Sequence, residues 1–398
     1  MKTHIKLNEH VWYVGANDRR THLFENIWPI PKGVAYNSYI VADEKIAIID
    51  TLEKSFLDDF IENIEDVCQE RTPDYLIINH MEPDHSGAIR TLLLRYPDIT
   101  IVGNAKTLGI LQNYYGTPRN YHEVKEGDSI SLGKISLHFV MTPMLHWPET
   151  MVTYVPELAT LFSGDIFGAF GTLDGGIYDD ELDLDYLEEE IGRYYSNIVG
   201  KYGAPAQTAL KKLGGIELKM VCATHGPIWR SHIADIIARY DKWSRYATDK
   251  GVVIAFSSMY GHTEKMADMI ARFLRQEGIE KIRIHDTSTV HLSYIINDIF
   301  RYKGVILGCP AYNGNMYPTM KTLIEELGNM GIKDHYLAYF ANKSWGGGAI
   351  KHFNKFVEEI KWEVVAPAVE ATGEPKEADI EQCRAIAKAM AAKLNEAQ

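Results

Sequence analysis

Residues 80–87 read His-Met-Glu-Pro-Asp-His-Ser-Gly, so His80, Glu82, Asp84 and His85 place four metal-ligating side chains within six positions. Imidazole nitrogen and carboxylate oxygen are ordinary donors to transition metals, and such density on one short segment has no simple structural explanation. Residues two apart in an extended loop point the same way. His80 and Glu82 can therefore serve one ion while Asp84 and His85, near a helix start, turn to another. Three more donors follow singly: His146 in Pro-Met-Leu-His-Trp-Pro (143–148), Asp165 in Phe-Ser-Gly-Asp (162–165) and His225 in Cys-Ala-Thr-His-Gly-Pro (222–227). Taken one at a time, Asp165 reads as a turn cap and the two histidines as core residues. Taken as a set of seven on four loops, they describe a dinuclear metal site.

A different chemistry is written at 257–264, Ser-Ser-Met-Tyr-Gly-His-Thr-Glu. Here Ser258, Met259, Tyr260, Gly261, His262 and Thr263 open a helix, where consecutive backbone N–H groups and two hydroxyls would hold a terminal phosphate without Lys or Arg. The segment is neither a Walker loop nor a dinucleotide glycine fingerprint. Two further loops share its position after a strand. One carries Pro310, Ala311, Tyr312 and Asn313, the other Ser344, Trp345, Gly346, Gly347, Gly348 and Ala349.

The elements that must position these loops follow from hydrophobic period. Residues 11–50 alternate as short antiparallel strands, and a helical period at Phe56, Phe60, Ile61 and Ile64 precedes a buried strand at 75–79. Strands at 99–102, 135–141, 151–155, 159–163 and 219–223 are expected, with helices at 105–115, 182–199, 205–213 and 228–246. From 251 the texture becomes strict α/β alternation, with strands at 252–256, 281–284, 304–308, 336–340 and 362–366. Five such strands suit one doubly wound parallel sheet. Residues 370–377, with Gly373 and Pro375, read as the one loose segment, and the domain boundary is placed at 249/250. In both halves the donor loops lie just past strands, where open sheets put their ligand sites.

The order His80-x-Glu82-x-Asp84-His85, then His146, Asp165 and His225, resembles the metallo-β-lactamase fold, an α/β αββα sandwich. Glu82 stands where the hydrolase branch carries His, and this variant resembles the flavodiiron proteins, whose metals are two iron ions. Carboxylate is a harder ligand than imidazole and favours iron, which agrees with the substitution. The resemblance implies one iron on His80, Glu82 and His146, the other on Asp84, His85 and His225, and Asp165 bridging. The three later loops resemble those of a flavodoxin domain with a five-stranded parallel sheet binding flavin mononucleotide (FMN). By that likeness 258–263 takes the phosphate, Gly346, Gly347 and Gly348 approach the pyrimidine edge of the ring, and Tyr312 or Trp345 stacks on it. Free flavodoxins usually carry Thr where Tyr260 stands here.

Together these halves, residues 1–249 and 250–398, resemble the flavodiiron family along essentially the whole chain. That likeness implies an oxidoreductase that reduces dioxygen to water, nitric oxide to nitrous oxide, or both. Four electrons convert dioxygen to water, two from a diferrous pair and two from a reduced flavin. It also implies a head-to-tail homodimer or tetramer, and an external electron donor, rubredoxin or a reduced deazaflavin. None of the four cysteines, Cys68, Cys222, Cys309 and Cys383, forms the C-x-x-C pair of an in-chain rubredoxin site. A segment at 19–28 containing His22 is expected to fold over the metal pocket; Tyr195 reads first as a packed helical tyrosine and only second as a neighbour of the pocket. The alternative is a zinc hydrolase with a flavodoxin-like regulatory domain, in which zinc would activate a water; a third reading is an electron carrier without catalysis.

Composition narrows the classes further. The 41 Lys and Arg against 54 Asp and Glu give a net charge of −13, which argues against nucleic acid as partner. No window approaches eighteen consecutive apolar residues, so no membrane span is expected. The N-terminal residues lack a secretory pattern, and a cytoplasmic location with reduced thiols is the expectation.

Overall fold

The computed structural model describes residues 3–396. The chain divides into two compact units, one ending at Ser244 and the other starting at Arg245.

In the first unit two sheets face each other. The larger has seven strands: Ile5–Lys6, Val11–Tyr13, Tyr39–Ala42, Ile46–Ile49, Tyr75–Ile77, Thr100–Gly103 and Tyr121–Glu123, in that order across the sheet. Its first four are antiparallel neighbours, and pairing becomes parallel from Ile46–Ile49 onward. The smaller sheet runs Ser129–Ser131, Ser136–Met141, Met151–Val155, Thr160–Gly164 and Met220–Ala223, the last pair parallel. One apolar cluster joins the two faces, with Val41, Ile49, Ile77 and Val102 from one and Leu137, Phe139, Phe162 and Cys222 from the other. Fully burying each large aliphatic or aromatic side chain contributes about 1.5–3 kcal/mol. Helices Leu57–Cys68, Ala105–Tyr115, Leu184–Tyr194, Gly203–Leu213 and Ile233–Ser244 complete an αββα arrangement.

The helix expected at 182–199 is a regular α-helix only over Leu184–Tyr194, capped by Asp183, and then widens into a π turn at Tyr195–Val199. The helix expected from 228 begins at Ile233. Ile228 and Trp229 are instead extended, bridging to Tyr178 and Val221, and the Trp229 indole donates to the Phe167 carbonyl at 2.9 Å. Both residues are apolar and mimic a helical period, but their burial is satisfied by sheet contacts.

The second unit holds a parallel sheet in the order Ile282–Asp286, Asp249–Phe256, Tyr302–Tyr312, Tyr336–Lys343 and Glu363–Val364. This 2-1-3-4-5 order is the flavodoxin-like one. The edge strand expected at 362–366 is only two residues long, and Val369–Thr372 pairs with the far half of Tyr336–Lys343. Residues 370–372 are therefore strand rather than loose segment. Val369 and Ala371 are buried while Thr372 is exposed, an alternation that the following Gly373 and Pro375 obscure in the sequence.

Candidate functional site

Four strand ends of the first unit carry the metal-type donors to one place. Asp50, just past Ile46–Ile49 and in a left-handed conformation (φ 54°), accepts from the backbone amides of Asn79 at 2.7 Å and His80 at 3.3 Å. That anchor fixes the loop leaving Tyr75–Ile77, and Pro83 then starts the short helix Pro83–Ser86. His146, Asp165 and His225 follow Ser136–Met141, Thr160–Gly164 and Met220–Ala223.

The seven side chains converge in two groups, His80, Glu82, His146 and Asp165 in one and Asp84, His85 and His225 in the other. In the first group Glu82 Oε2 lies 3.2 Å from His80 Nε2 and 3.0 Å from His146 Nε2. In the second, Asp84 Oδ2 lies 3.4 Å from His85 Nε2 and 3.3 Å from His225 Nε2. Asp165 stands between them. Its Oδ2 is 3.4 Å from His80 and 3.3 Å from His146, while its Oδ1 is 2.9 Å from His85 and 3.6 Å from His225.

His80, His85 and His225 have no exposed surface, and Glu82 and His146 only 8% each. Both carboxylate oxygens of Asp84 and the Nε2 atoms of His85 and His225 are buried without an aligned hydrogen-bond partner. Buried polar atoms in this state are costly unless a cation takes them up. The donor set of oxygen and imidazole nitrogen thus fits two divalent transition-metal ions, one per group. Electrostatics agrees. Burial alone would lower the His80 pKa, but Glu149, Glu82 and Asp165 lift it to about 10, and Asp84 and Asp165 overcome burial to lift His85 to about 9. Burial alone would raise Asp165, yet His85, His146 and His80 hold it well below the usual carboxylate range. Metal binding would displace protons from these imidazoles.

Outside the donors, Glu149 Oε1 accepts from His80 Nδ1 at 2.9 Å and from the Met81 amide at 3.0 Å. The His225 Nδ1 lies 2.8 Å from the Ala35 carbonyl, and Thr224 Oγ1 donates to Asp165 Oδ1 at 2.6 Å. The contacts on Nδ1 leave the Nε2 atoms of His80 and His225 facing inward, and the Thr224 hydroxyl fixes the Asp165 carboxylate. Sequence reasoning missed Glu149; its signal was a carboxylate following His146 by three residues on the same loop. Two tyrosines stand beside the cluster, Tyr194 and Tyr36, with ring centroids 5.5 Å and 5.6 Å from that of His225. Tyr195 packs on Tyr240 and Trp243, both at 4.9 Å, as a packed helical tyrosine should. One residue is about 100° of helix, so the neighbour faces elsewhere. Within 19–28, Phe24 meets His225 edge-on at 5.3 Å and Glu25 lies beside Glu82, whereas His22 is exposed.

In the second unit the three loops follow the carboxyl ends of three adjacent strands. Gly261 (φ 90°) caps helix His262–Gln276, and the Ser258 hydroxyl accepts from its amide at 3.1 Å. Thr263 is buried, while Met259 and Tyr260 are exposed and His262 lies 3.2 Å from Glu374. Pro310 and Ala311 belong to the strand Tyr302–Tyr312 itself, and Asn313 (φ 50°) makes the turn. Gly348 backs onto that turn so closely that a Cβ there would meet the Gly314 carbonyl oxygen at 2.5 Å. Ala349 begins helix Ala349–Ile360, Gly347 borders Glu370, and Trp345 projects with Tyr312 at the rim. A helix N-terminus with free amides, a close glycine approach and exposed aromatic faces fit a phosphorylated planar ring such as FMN.

Residues 34–226 match the family described as ODP family beta lactamase, and residues 254–395 match the flavodoxin family. An anaerobic nitric oxide reductase flavorubredoxin of Aeromonas hydrophila is 31% identical over 391 residues, covering 96% of this chain and 78% of the relative. The protein of the same name from Klebsiella pneumoniae is 30% identical, covering 96% of this chain and 80% of the relative. Among solved structures, the rubredoxin oxygen:oxidoreductase of Desulfovibrio gigas superposes with a TM-score of 0.94 at 28% identity, over 99% of each chain. The flavodiiron protein of Giardia intestinalis shares the fold, with a TM-score of 0.95 at 24% identity over 100% of this chain and 98% of that one.

Proposed function

The chain belongs to the flavodiiron family, an oxidoreductase family with an iron pair and FMN as cofactors, and from that premise we propose that it reduces dioxygen, nitric oxide or both. The observation that carries the reading is Asp165, whose two oxygens address two separate groups of donors. In this reading residues 1–249 hold the irons and 250–398 the flavin. His80, Glu82 and His146 hold one iron, Asp84, His85 and His225 the other, and Asp165 joins them. Ser258, Met259, Tyr260, Gly261, His262 and Thr263 receive the phosphate. Pro310, Ala311, Tyr312, Asn313 and Ser344, Trp345, Gly346, Gly347, Gly348, Ala349 flank the ring.

Irons and flavin together supply the electrons for reduction of the gas. The chain's own residues prepare the place. Glu149 keeps the proton of His80 on Nδ1, so that Nε2 presents its lone pair inward. Phe24 and Tyr194 cover His225 with apolar surface and limit water at the second group of donors. The electrons reach residues 1–398 from a separate donor, rubredoxin or a reduced deazaflavin; the names of the Aeromonas and Desulfovibrio relatives favour rubredoxin. A head-to-tail homodimer is the assembly proposed, with the tetramer as its doubling, and light scattering reads it directly.

The test is metal analysis with a visible spectrum on one anaerobically purified sample, then addition of each gas to the reduced protein. Two irons and one flavin per chain, with flavin reoxidised by either gas, support the reading and rank the substrates. Two zincs and a flavin inert to both gases, unrescued by iron, would replace it with the hydrolase.

A further inference from the structure

Among the described residues the largest fully buried side chain is a charged one, Arg193, at 0% exposure. A guanidinium withdrawn from water loses hydration, so its contacts say what it is for. It pairs with Glu190 one turn earlier at 3.0 Å, stands 5.0 Å over the Phe170 ring, and its Nη2 donates to the carbonyl of Pro29, 164 positions away in sequence. Its own carbonyl accepts from Ser196 Oγ at 3.2 Å and Asn197 Nδ2 at 2.8 Å, so the π turn holds the backbone from which the guanidinium projects.

Pro29 lies on the return strand of a hairpin, Leu23–Phe24 against Trp28–Pro29, only two residues per strand. A ladder that short does not stand alone in water. Its tip, Glu25 and Asn26, is in left-handed conformations (φ 51° and 58°), which adds to the cost. Yet this hairpin touches both groups of donors: Phe24 meets His225, and Glu25 lies beside Glu82 while accepting from the Trp28 indole at 2.9 Å. Phe170, beneath the guanidinium, lies 5.4 Å from Phe24 and 5.1 Å from Tyr194. The contacts of Arg193 thus reach the hairpin twice, at the Pro29 carbonyl and through Phe170.

We propose that Arg193 is a positioning residue that pins the 23–29 hairpin over the donor cluster, and so sets how fast metal ions and small molecules pass between cluster and solvent. The inference rests on the function proposed above only in taking the cluster as metal-bearing. Both contacts fall on Nη2 at the far end of the guanidinium; lysine keeps the charge, but its shorter stem and lack of a planar face over Phe170 do not hold a nitrogen at that point.

The test is hydrogen exchange by mass spectrometry on the full chain, metal-free and iron-loaded, for Arg193→Lys and for the double variant Glu190→Gln/Arg193→Met, which leaves no unpaired charge. The amides of Ile27 and Ile30, bonded to the Phe24 and His22 carbonyls, report the hairpin. Expected is at least about tenfold faster exchange across 23–30 with protection kept in Tyr75–Ile77 and Met220–Ala223, and a similar acceleration of iron loss to a chelator. Unchanged hairpin exchange would overturn the proposal. So would protection lost throughout the first unit, or failure of both variants to fold, since Arg193 would then serve the core as a whole. Exchange is also read without metal, so a chain that holds zinc, with a flavin inert to both gases and no rescue by iron, refutes the function proposed above and leaves the clamp standing.

Discussion

Six of the seven donors in the first unit are buried side chains, with exposure of 8% or less, whereas the loops of the second unit leave Tyr260 87% and Trp345 94% exposed. One site is made of side-chain atoms facing each other in the dark; the other is made of backbone amides, glycine clearances and open aromatic faces. A buried cluster of charge has no tolerance, because each donor removed leaves others unpaired at low dielectric. An exposed cradle tolerates more, since water replaces whatever a substitution withdraws.

That contrast orders the expected effects. Asp165→Ala removes the oxygens facing both groups, so both ions and turnover with either gas should fall by about a hundredfold or more. Mass-spectrometric metal content together with gas consumption reads this, and a variant that keeps both would abolish the contrast. Glu149→Ala leaves every donor in place but frees His80 to turn, and the expected loss is about 10–100-fold in metal affinity. Competition against a chelator measures it; an unchanged affinity would show that packing alone orients His80. In the second unit, Gly348→Ala drives a Cβ against the Gly314 carbonyl and should weaken FMN binding about tenfold or more, by fluorescence titration. Gly261→Ala meets open space despite its φ of 90°, and should cost only about 1–2 kcal/mol of local strain. Equal effects at the two glycines would remove clearance as the organising feature of that site.

A pH series sharpens the comparison. The His80 pKa is raised to about 10 in the metal-free fold, above the ordinary histidine value of about 6.5. Its stabilising contribution is therefore complete below about pH 6.5 and lost as pH rises through about 10. Metal-free protein should lose thermal stability from pH 7 to 10, whereas metal-loaded protein, with its imidazoles already deprotonated, should not share that loss. Calorimetry of the two forms would show curves that diverge with pH; parallel curves would detach the histidines from metal binding. The smallest effect belongs to Trp345→Ala, which should leave thermal stability within about 0.5 kcal/mol while weakening flavin binding, because so exposed a ring contributes little to the fold.

Legibility followed the same line. The donors were readable because a His-x-Glu-x-Asp-His run is rare and local, and strand ends were readable because apolar runs stop there. Glu149, Tyr194 and the strand Val369–Thr372 were not. Glu149 lies on a turn that carries no periodic pattern, Tyr194 depends on helix phase, and the strand is obscured by the Gly373 and Pro375 that follow it. The start of helix Ile233–Ser244 was misplaced because Ile228 and Trp229 are apolar at a helical spacing, while their burial comes from the sheet.

The sequence by itself determined the kinds of atoms available: four imidazoles and three carboxylates on four loops, then glycine-rich turns after parallel strands. Ligand chemistry and backbone freedom are properties of single residues and survive without a fold. Only the tertiary structure decided that Asp165 divides its oxygens between two groups, that Glu149 holds His80, and that Arg193 reaches a hairpin 164 positions away. Those contacts join residues distant in the chain. Their distances follow from how two sheets close on one core, which no local pattern encodes.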